Sequence, residues 1–278
     1  MRRPLISRRA QRGFVLITVL WMGLALLLGV AAFMSGAREE ALQVRVEVAT
    51  ARATELARAG LNVALADLGR VSPDQRRTRR DGMPVMLTMA EGRVTYRIQD
   101  EAGKVDINHA PPQILGPVLQ SVGAGQGVDA FDAVNIAQAL EAASARGARA
   151  RSVGDALRAA GFSAAAAETA EAYLTTFNFT RQINPRTAAP ETLAAIPGLG
   201  RGGAQDILNR REAGESMPRL GSAAAWLAER PGPVYTIEAD AELTTGGTAR
   251  LVAQVVARGL AFRGGLMRYE VLSVRTGS

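Results

Sequence analysis

At 278 residues the chain has material for one large or two small domains with a sizeable core. It holds no cysteine and one histidine, His109, which excludes a disulfide framework, thiolate chemistry and a cysteine-ligated zinc. That also leaves little from which to build a catalytic triad or a histidine-rich metal site. The formal charge of +7 falls to +2 without Arg2, Arg3, Arg8, Arg9 and Arg12, so composition demands no polyanionic partner.

Those five arginines crowd the N-terminal stretch before Phe14, which contains no acid, and the run from Phe14 to Ala37 carries no charge. As a helix this run is about 36 Å long, enough for a bilayer core. Arginines on its N-terminal side predict a cytoplasmic N-terminus, with the rest of the chain across the membrane. A secretory signal peptide has a shorter apolar region followed by a small-residue cleavage site, for which Ala31-Ala32 is the candidate. An ordinary signal anchor is the second competitor.

Beyond Arg38, Leu42, Val46, Ala49, Ala53, Leu56, Gly60, Val63 and Ala64 recur at helical spacing, and no proline intervenes before Val71. The pattern predicts one helix from Phe14 to Leu68, its second half packed on a sheet through small residues. Ser72–Gly82, arginine-rich and containing Pro73, predicts a surface loop. Val85–Met89 and Val94–Gln99 alternate apolar and polar residues around Glu91-Gly92, a hairpin signature. Val234–Ala239, Leu251–Ala257 and Tyr269–Arg275 repeat that period of two, with a turn at Gly246-Gly247.

Between these strand regions lies an alanine-rich helical segment, Asn108 to Glu229. Val105-Asp106-Ile107-Asn108 leads to Ala110-Pro111 and Ile114-Leu115. Gln182-Ile183-Asn184 leads likewise to Thr187-Ala188-Ala189-Pro190 and Leu193, a weak duplicate of the first stretch. The second copy continues as Ile196-Pro197-Gly198-Leu199-Gly200, then Ala204, Ile207 and Leu208, a helix-hairpin-helix pattern. Pro197, Gly198 and Gly200 form its turn, where glycine permits a tight bend and brings backbone N–H groups to the surface. In DNA-binding examples those groups hold a phosphate beside basic side chains such as Arg201, Arg210 and Arg211 here. The same turn also serves as a packing unit. A membrane anchor, the balanced charge and a degraded first copy (Val122-Gly123-Ala124-Gly125) favour packing and argue against nucleic acid as a partner. Asp100, Glu101 and Asp106 are the best group of hard oxygen ligands. They are expected to form a solvated turn, and His109 to sit on a polar surface turn; no metal, cofactor or catalytic residue is predicted.

Arg12-Gly13-Phe14-Val15-Leu16-Ile17 resembles the processing site of type IV pilins and type II secretion pseudopilins. There a prepilin peptidase cuts a short basic leader after a glycine, and the new N-terminus is methylated. The resemblance places the scissile bond between Gly13 and Phe14. Most pilins carry glutamate at the fifth mature position, whereas this chain has Thr18, a departure shared with the minor pseudopilin K of type II secretion. Tyr96–Asn108, Ile183–Ile207 and Ala253–Arg275 also resemble that family. It implies an α+β fold: a long transmembrane helix and a pseudopilin sheet interrupted by a large α-helical insertion. On this chain that means a leader at 1–13, a helix at 14–70 (14–37 in the membrane), a sheet from 71–107 and 232–278, and an insertion at 108–231. The family's role is non-catalytic. With I- and J-type minor pseudopilins it caps a periplasmic pseudopilus that supports export of folded proteins across the outer membrane, anchored by one pass in the inner membrane. Calcium binds within the family. This chain, however, has Gln138-Ala139-Leu140-Glu141 and Arg146, Arg149 and Arg151 where an acidic stretch is expected. Two other readings stay open: a membrane-anchored helix-hairpin-helix DNA-binding protein of competence type, and a minor type IV pilin.

Overall fold

Alanine, leucine and arginine favour helix, and nothing after Pro4 interrupts it until Pro73. In the computed structural model, which describes residues 8–69, 79–126, 128–260 and 267–277, a single helix α1 (Arg8–Gly69) results. Its buried stripe is Ala53, Leu56, Ala57, Leu61, Ala64 and Leu68. Gly60 lies on the same stripe, where an added Cβ would sit 2.2 Å from Val94 Cγ1, so only glycine lets the helix approach the sheet this closely. The predicted stripe is shortened at its lower end. Leu42, Val46 and Val63 are exposed, because the sheet first meets α1 where Gly247 touches Ala49, and Val63 lies on the flank.

The predicted hairpin is β1 (Val85–Met89) and β2 (Gly92–Asp100). The chain then leaves the sheet and builds β3 (Val105–Asp106), α2 (Pro112–Gly123), α3 (Ala130–Ala145), α4 (Val153–Ala159) and α5 (Ala164–Ala170). β4 (Leu174–Thr175), α6 (Pro190–Ala194), α7 (Gly200–Ala213) and a 3₁₀ turn over Gly221–Trp226 follow. The sheet resumes with β5 (Val234–Leu243), β6 (Thr248–Leu260) and β7 (Met267–Thr276). Strand order is β1-β2-β5-β6-β7, with every neighbouring pair antiparallel. β2 and β5, which flank the insertion in sequence, are therefore neighbours in space, and Asp100 pairs with Tyr235. Alternation sends Val94, Tyr96, Ile98, Ile237, Ala239 and Ala253 toward α1. The opposite face carries Arg97, Glu238, Asp240 and Arg250, joined by ion pairs.

The insertion has its own core, centred on Ile107, Ile114, Leu119, Leu157, Leu193 and Ile207. Serine and aspartate start its helices: Asp129, Ser152 and Ser163 each accept backbone amides of the first turn. The weak sequence duplicate is a structural one. Val105 and Ile183 each bridge in parallel to a returning segment, at Leu174 and Leu227. Asp106 and Asn184 accept the amide two residues on, at 2.8 and 3.1 Å. Their carbonyls accept the amides of Ala110 and Ala188 at 2.8 and 3.0 Å, and Pro112 and Pro190 each open a helix. The two copies keep one register from Val105 and Ile183 through to Pro112 and Pro190, with nothing inserted in either.

Of the predicted loop Ser72–Gly82, residues 72–78 lie outside the described ones. Its end is no free loop, since Asp81 bridges Gln99, the Gly82 amide donates to Ile98 and the Asp100 amide donates to Arg80. Of the predicted span Phe14–Ala37, the side chains of residues 14, 15, 32 and 35–37 are outside those described, and among the described residues no helix is long and apolar enough to cross a membrane. The described large apolar side chains of that stretch, from Leu16 to Met34, are exposed.

Candidate functional site at the junction of sheet and insertion

Because β2 and β5 are neighbours, the two ends of the insertion meet at one place, and polar side chains gather there out of water. Asp100, Glu101 and Asp106 are each 1–2% exposed, which overturns the expected solvated turn. Polarity suggested a surface, but the returning chain covers these residues. Buried carboxylates must be paired or hydrogen-bonded, and these are. Asp100 accepts the amides of Ala102 (2.9 Å) and Gly232 (3.1 Å). Glu101 accepts the Thr236 hydroxyl at 2.8 Å and pairs with Lys104 at 2.8 Å. Asp106 accepts the amides of Asn108 and Phe179, both at 2.8 Å, and His109 Nδ1 lies 3.0 Å from it. His109 does occupy a turn, as expected, but a partly buried one. Asp100 and Glu101 thus join the outgoing chain to the returning chain and the sheet, while Asp106 braces the start of the insertion against Asn108 and Phe179.

Arg80 ties the joint to α1. Its guanidinium lies 5.2 Å from the Tyr235 ring centre, and it donates to the Tyr235 hydroxyl and to the carbonyl of Leu68 in the last turn of α1, both at 3.2 Å. Burial pushes the Tyr235 hydroxyl up to about 12, with Asp100 adding to the rise and Arg80 opposing it.

The helical hairpin is the second feature. Pro197 and Gly198 lie between α6 and α7 and Gly200 opens α7, with Gly198 at φ +80° and Gly200 at φ +62°, the left-handed region that glycine enters without strain. Gly198 also packs tightly, since a Cβ there would lie 2.3 Å from Ser222 Oγ. The bases grouped with this turn have separate fates. Arg201 is exposed, and Arg210 pairs with Asp206 and Glu215. Arg211 faces inward, in keeping with the packing role expected of this turn rather than with a base beside a phosphate. Its side chain is largely covered and donates to the carbonyls of Pro185 (2.6 Å) and Ala188 (2.8 Å), with Nη1 3.5 Å from Asp81.

Gly13 and Phe14 lie in α1, with side chains outside those described, and Thr18 lies on its exposed part. Sequence reading did not find Asp100 or Arg211 as joint residues. The only local signals were an acidic pair ending an alternating strand and Pro231-Gly232-Pro233 before the next one.

No protein-family model matches the chain, and no curated protein does. Among solved structures, a chain of the GspK-GspI-GspJ complex from the type 2 secretion system of enterotoxigenic Escherichia coli matches with a TM-score of 0.54 and 13% identity, over 85% of this chain and 99% of that one. The chain has a GspK-like pseudopilin fold. At that identity the likeness is one of architecture. Within the GspK-like fold, the buried joint described above lies where the sheet gives way to the insertion.

Proposed function

We propose that this chain is a non-catalytic minor pseudopilin of a type II secretion system, standing at the tip of the pseudopilus and supporting export of folded proteins across the outer membrane. One observation carries the reading. A sheet packed on a long N-terminal helix is split between adjacent strands by a large helical insertion, an architecture shared with a chain of the GspK-GspI-GspJ complex. I- and J-type minor pseudopilins are the partners this implies. The exposed apolar part of α1 supports single-pass anchoring in the inner membrane, because leucine, tryptophan and phenylalanine at that density are stable in lipid rather than water. Cleavage by prepilin peptidase between Gly13 and Phe14, methylation of Phe14 and a periplasmic C-terminal body complete the proposal.

Thr18 supports the tip position. In a filament, a glutamate at this place is available to offset a neighbour's charged amino terminus within the membrane, where an unpaired charge is costly. A hydroxyl offers only a weak hydrogen bond. The insertion adds bulk that suits an exposed end. The competence-type DNA reading loses support because Arg211 is an inward-facing strut bonded to two carbonyls and Arg210 is ion-paired.

The test is affinity purification of the tagged chain from detergent-solubilised membranes of the native host, with immunogold labelling of overproduced pseudopili. Co-purification of I- and J-type subunits and label at one filament end are expected. Label along the shaft, or no such partners, would overturn the reading.

A further inference from the structure

The neck between sheet and insertion consists of two passes of chain, Asp100–Gly103 outgoing and 228–233 returning, and one carboxylate binds both. Asp100 Oδ1 accepts the Ala102 amide at 2.9 Å on the outgoing pass and the Gly232 amide at 3.1 Å on the returning one, with Oδ2 at 3.3 Å from the latter. The returning pass comes this close because residue 232 is glycine: an added Cβ would lie 2.8 Å from Oδ1 and 3.0 Å from Ala102 Cβ. A cleft of about 290 Å³, lined in part by Ala102, Phe179, Pro231 and Gly232, lies beside the neck.

We propose that Asp100 is the clasp of a hinge between insertion and sheet, and that its charge sets the grip: firm when the carboxyl is neutral, loose when it is ionised. The physical cause is burial, which pushes the Asp100 carboxyl up to about 6 against the lowering pull of the two amides and Arg80, with Glu101 adding to the rise. The charged and titratable groups that face it are Arg80, from the segment before β1, Tyr235 on β5, and on its own turn Glu101, itself paired with Lys104. Arg80 is shared with the Tyr235 hydroxyl and the Leu68 carbonyl, so it offsets the buried charge only in part.

When the neck opens, Asp100 meets water and returns to the ordinary carboxylate value of about 3.9. A carboxyl whose pKa is raised in the closed state takes up a proton on closing. Closure is therefore favoured in acid, and that advantage is lost as pH rises through about 6. The neutral carboxyl keeps a carbonyl oxygen for both amides, so protonation removes the buried charge and leaves the geometry. A shift of this size changes the opening equilibrium roughly tenfold between pH 5 and pH 7.5.

The clasp belongs to the folded chain alone, so its test does not depend on the assembly proposed above. The full chain in detergent is followed by hydrogen–deuterium exchange from pH 4.5 to 7.5, corrected for intrinsic pH dependence, on peptides covering 100–104 and 228–234. Both peptides should gain roughly tenfold protection from pH 7.5 to pH 5. Asp100→Asn, which keeps a neutral acceptor, should remove the response and be no less protected than wild type at pH 7.5. Carbon-13 titration of the wild-type Asp100 carboxyl should give a midpoint near 6, a check that needs no variant. A flat wild-type profile, a response that survives in Asp100→Asn, or an Asp100 midpoint in the ordinary carboxylate range would overturn the hinge.

Discussion

Arg210 and Arg211 are adjacent on α7, and their replacement by alanine should have very different results. The Arg211 side chain is 9% exposed and its Nη2 serves two backbone carbonyls, while Nη1 stands 3.5 Å from the buried Asp81 carboxylate. Burial pulls its guanidinium below the ordinary arginine range, and Asp81 pulls it back. Alanine removes two charge-assisted hydrogen bonds and leaves two acceptors and a carboxylate under-supplied, together about 3 kcal/mol. Arg79 remains beside Asp81 and keeps the loss from rising further. Arg211→Lys should recover about half, because one ammonium can serve the two carbonyls that Nη2 serves but cannot at the same time supply the second arm of the fork that faces Asp81. Arg210→Ala breaks only partly exposed pairs and should cost about 0.5 kcal/mol or less. The assay is urea unfolding followed by Trp226 fluorescence in a Trp21→Phe background, which silences the only other tryptophan. Equal stability of the Arg210→Ala and Arg211→Ala proteins would refute the strut assignment.

Three further outcomes are expected. N-terminal mass analysis of membrane-extracted protein should find mature chain beginning at Phe14; an intact Met1 or a cut near Ala32 would contradict the peptidase site. Gly60→Ala forces a Cβ to within 2.2 Å of Val94 Cγ1, so thermal melting should report a loss of about 1–3 kcal/mol from overpacking between α1 and the sheet, and an unchanged melting temperature would count against that contact. Gly198→Ala adds a clash with Ser222 to a left-handed backbone. Combining it with Ser222→Ala should restore the clash portion and leave about 1 kcal/mol of backbone cost, whereas strict additivity of the two changes would mean that they do not touch.

Features that depend on near neighbours in the chain were legible in the sequence. A proline-free run of good helix formers makes α1. Strict alternation gives β1, β2 and β5 to β7, each within a few residues of its expected bounds. Glycine pairs and Asx-Pro combinations mark turns and helix starts, so even a faint internal repeat is real. Burial is different, because it is conferred by chain far away in sequence. Leu42 and Val46 continue the apolar period of Ala53 and Leu56, yet only the latter pair meets a sheet, and where the sheet ends is decided by strands near the other end of the chain. Asp100 and Glu101 read as a wet acidic turn until Gly232 and Thr236 close over them. Arg210 and Arg211 share one local environment in sequence, and the one-residue step between them on α7 turns one to solvent and the other onto Asp81. Periodicity therefore determined the elements of this protein, while the pairing of β2 with β5 decided which of its charges would have to live without water.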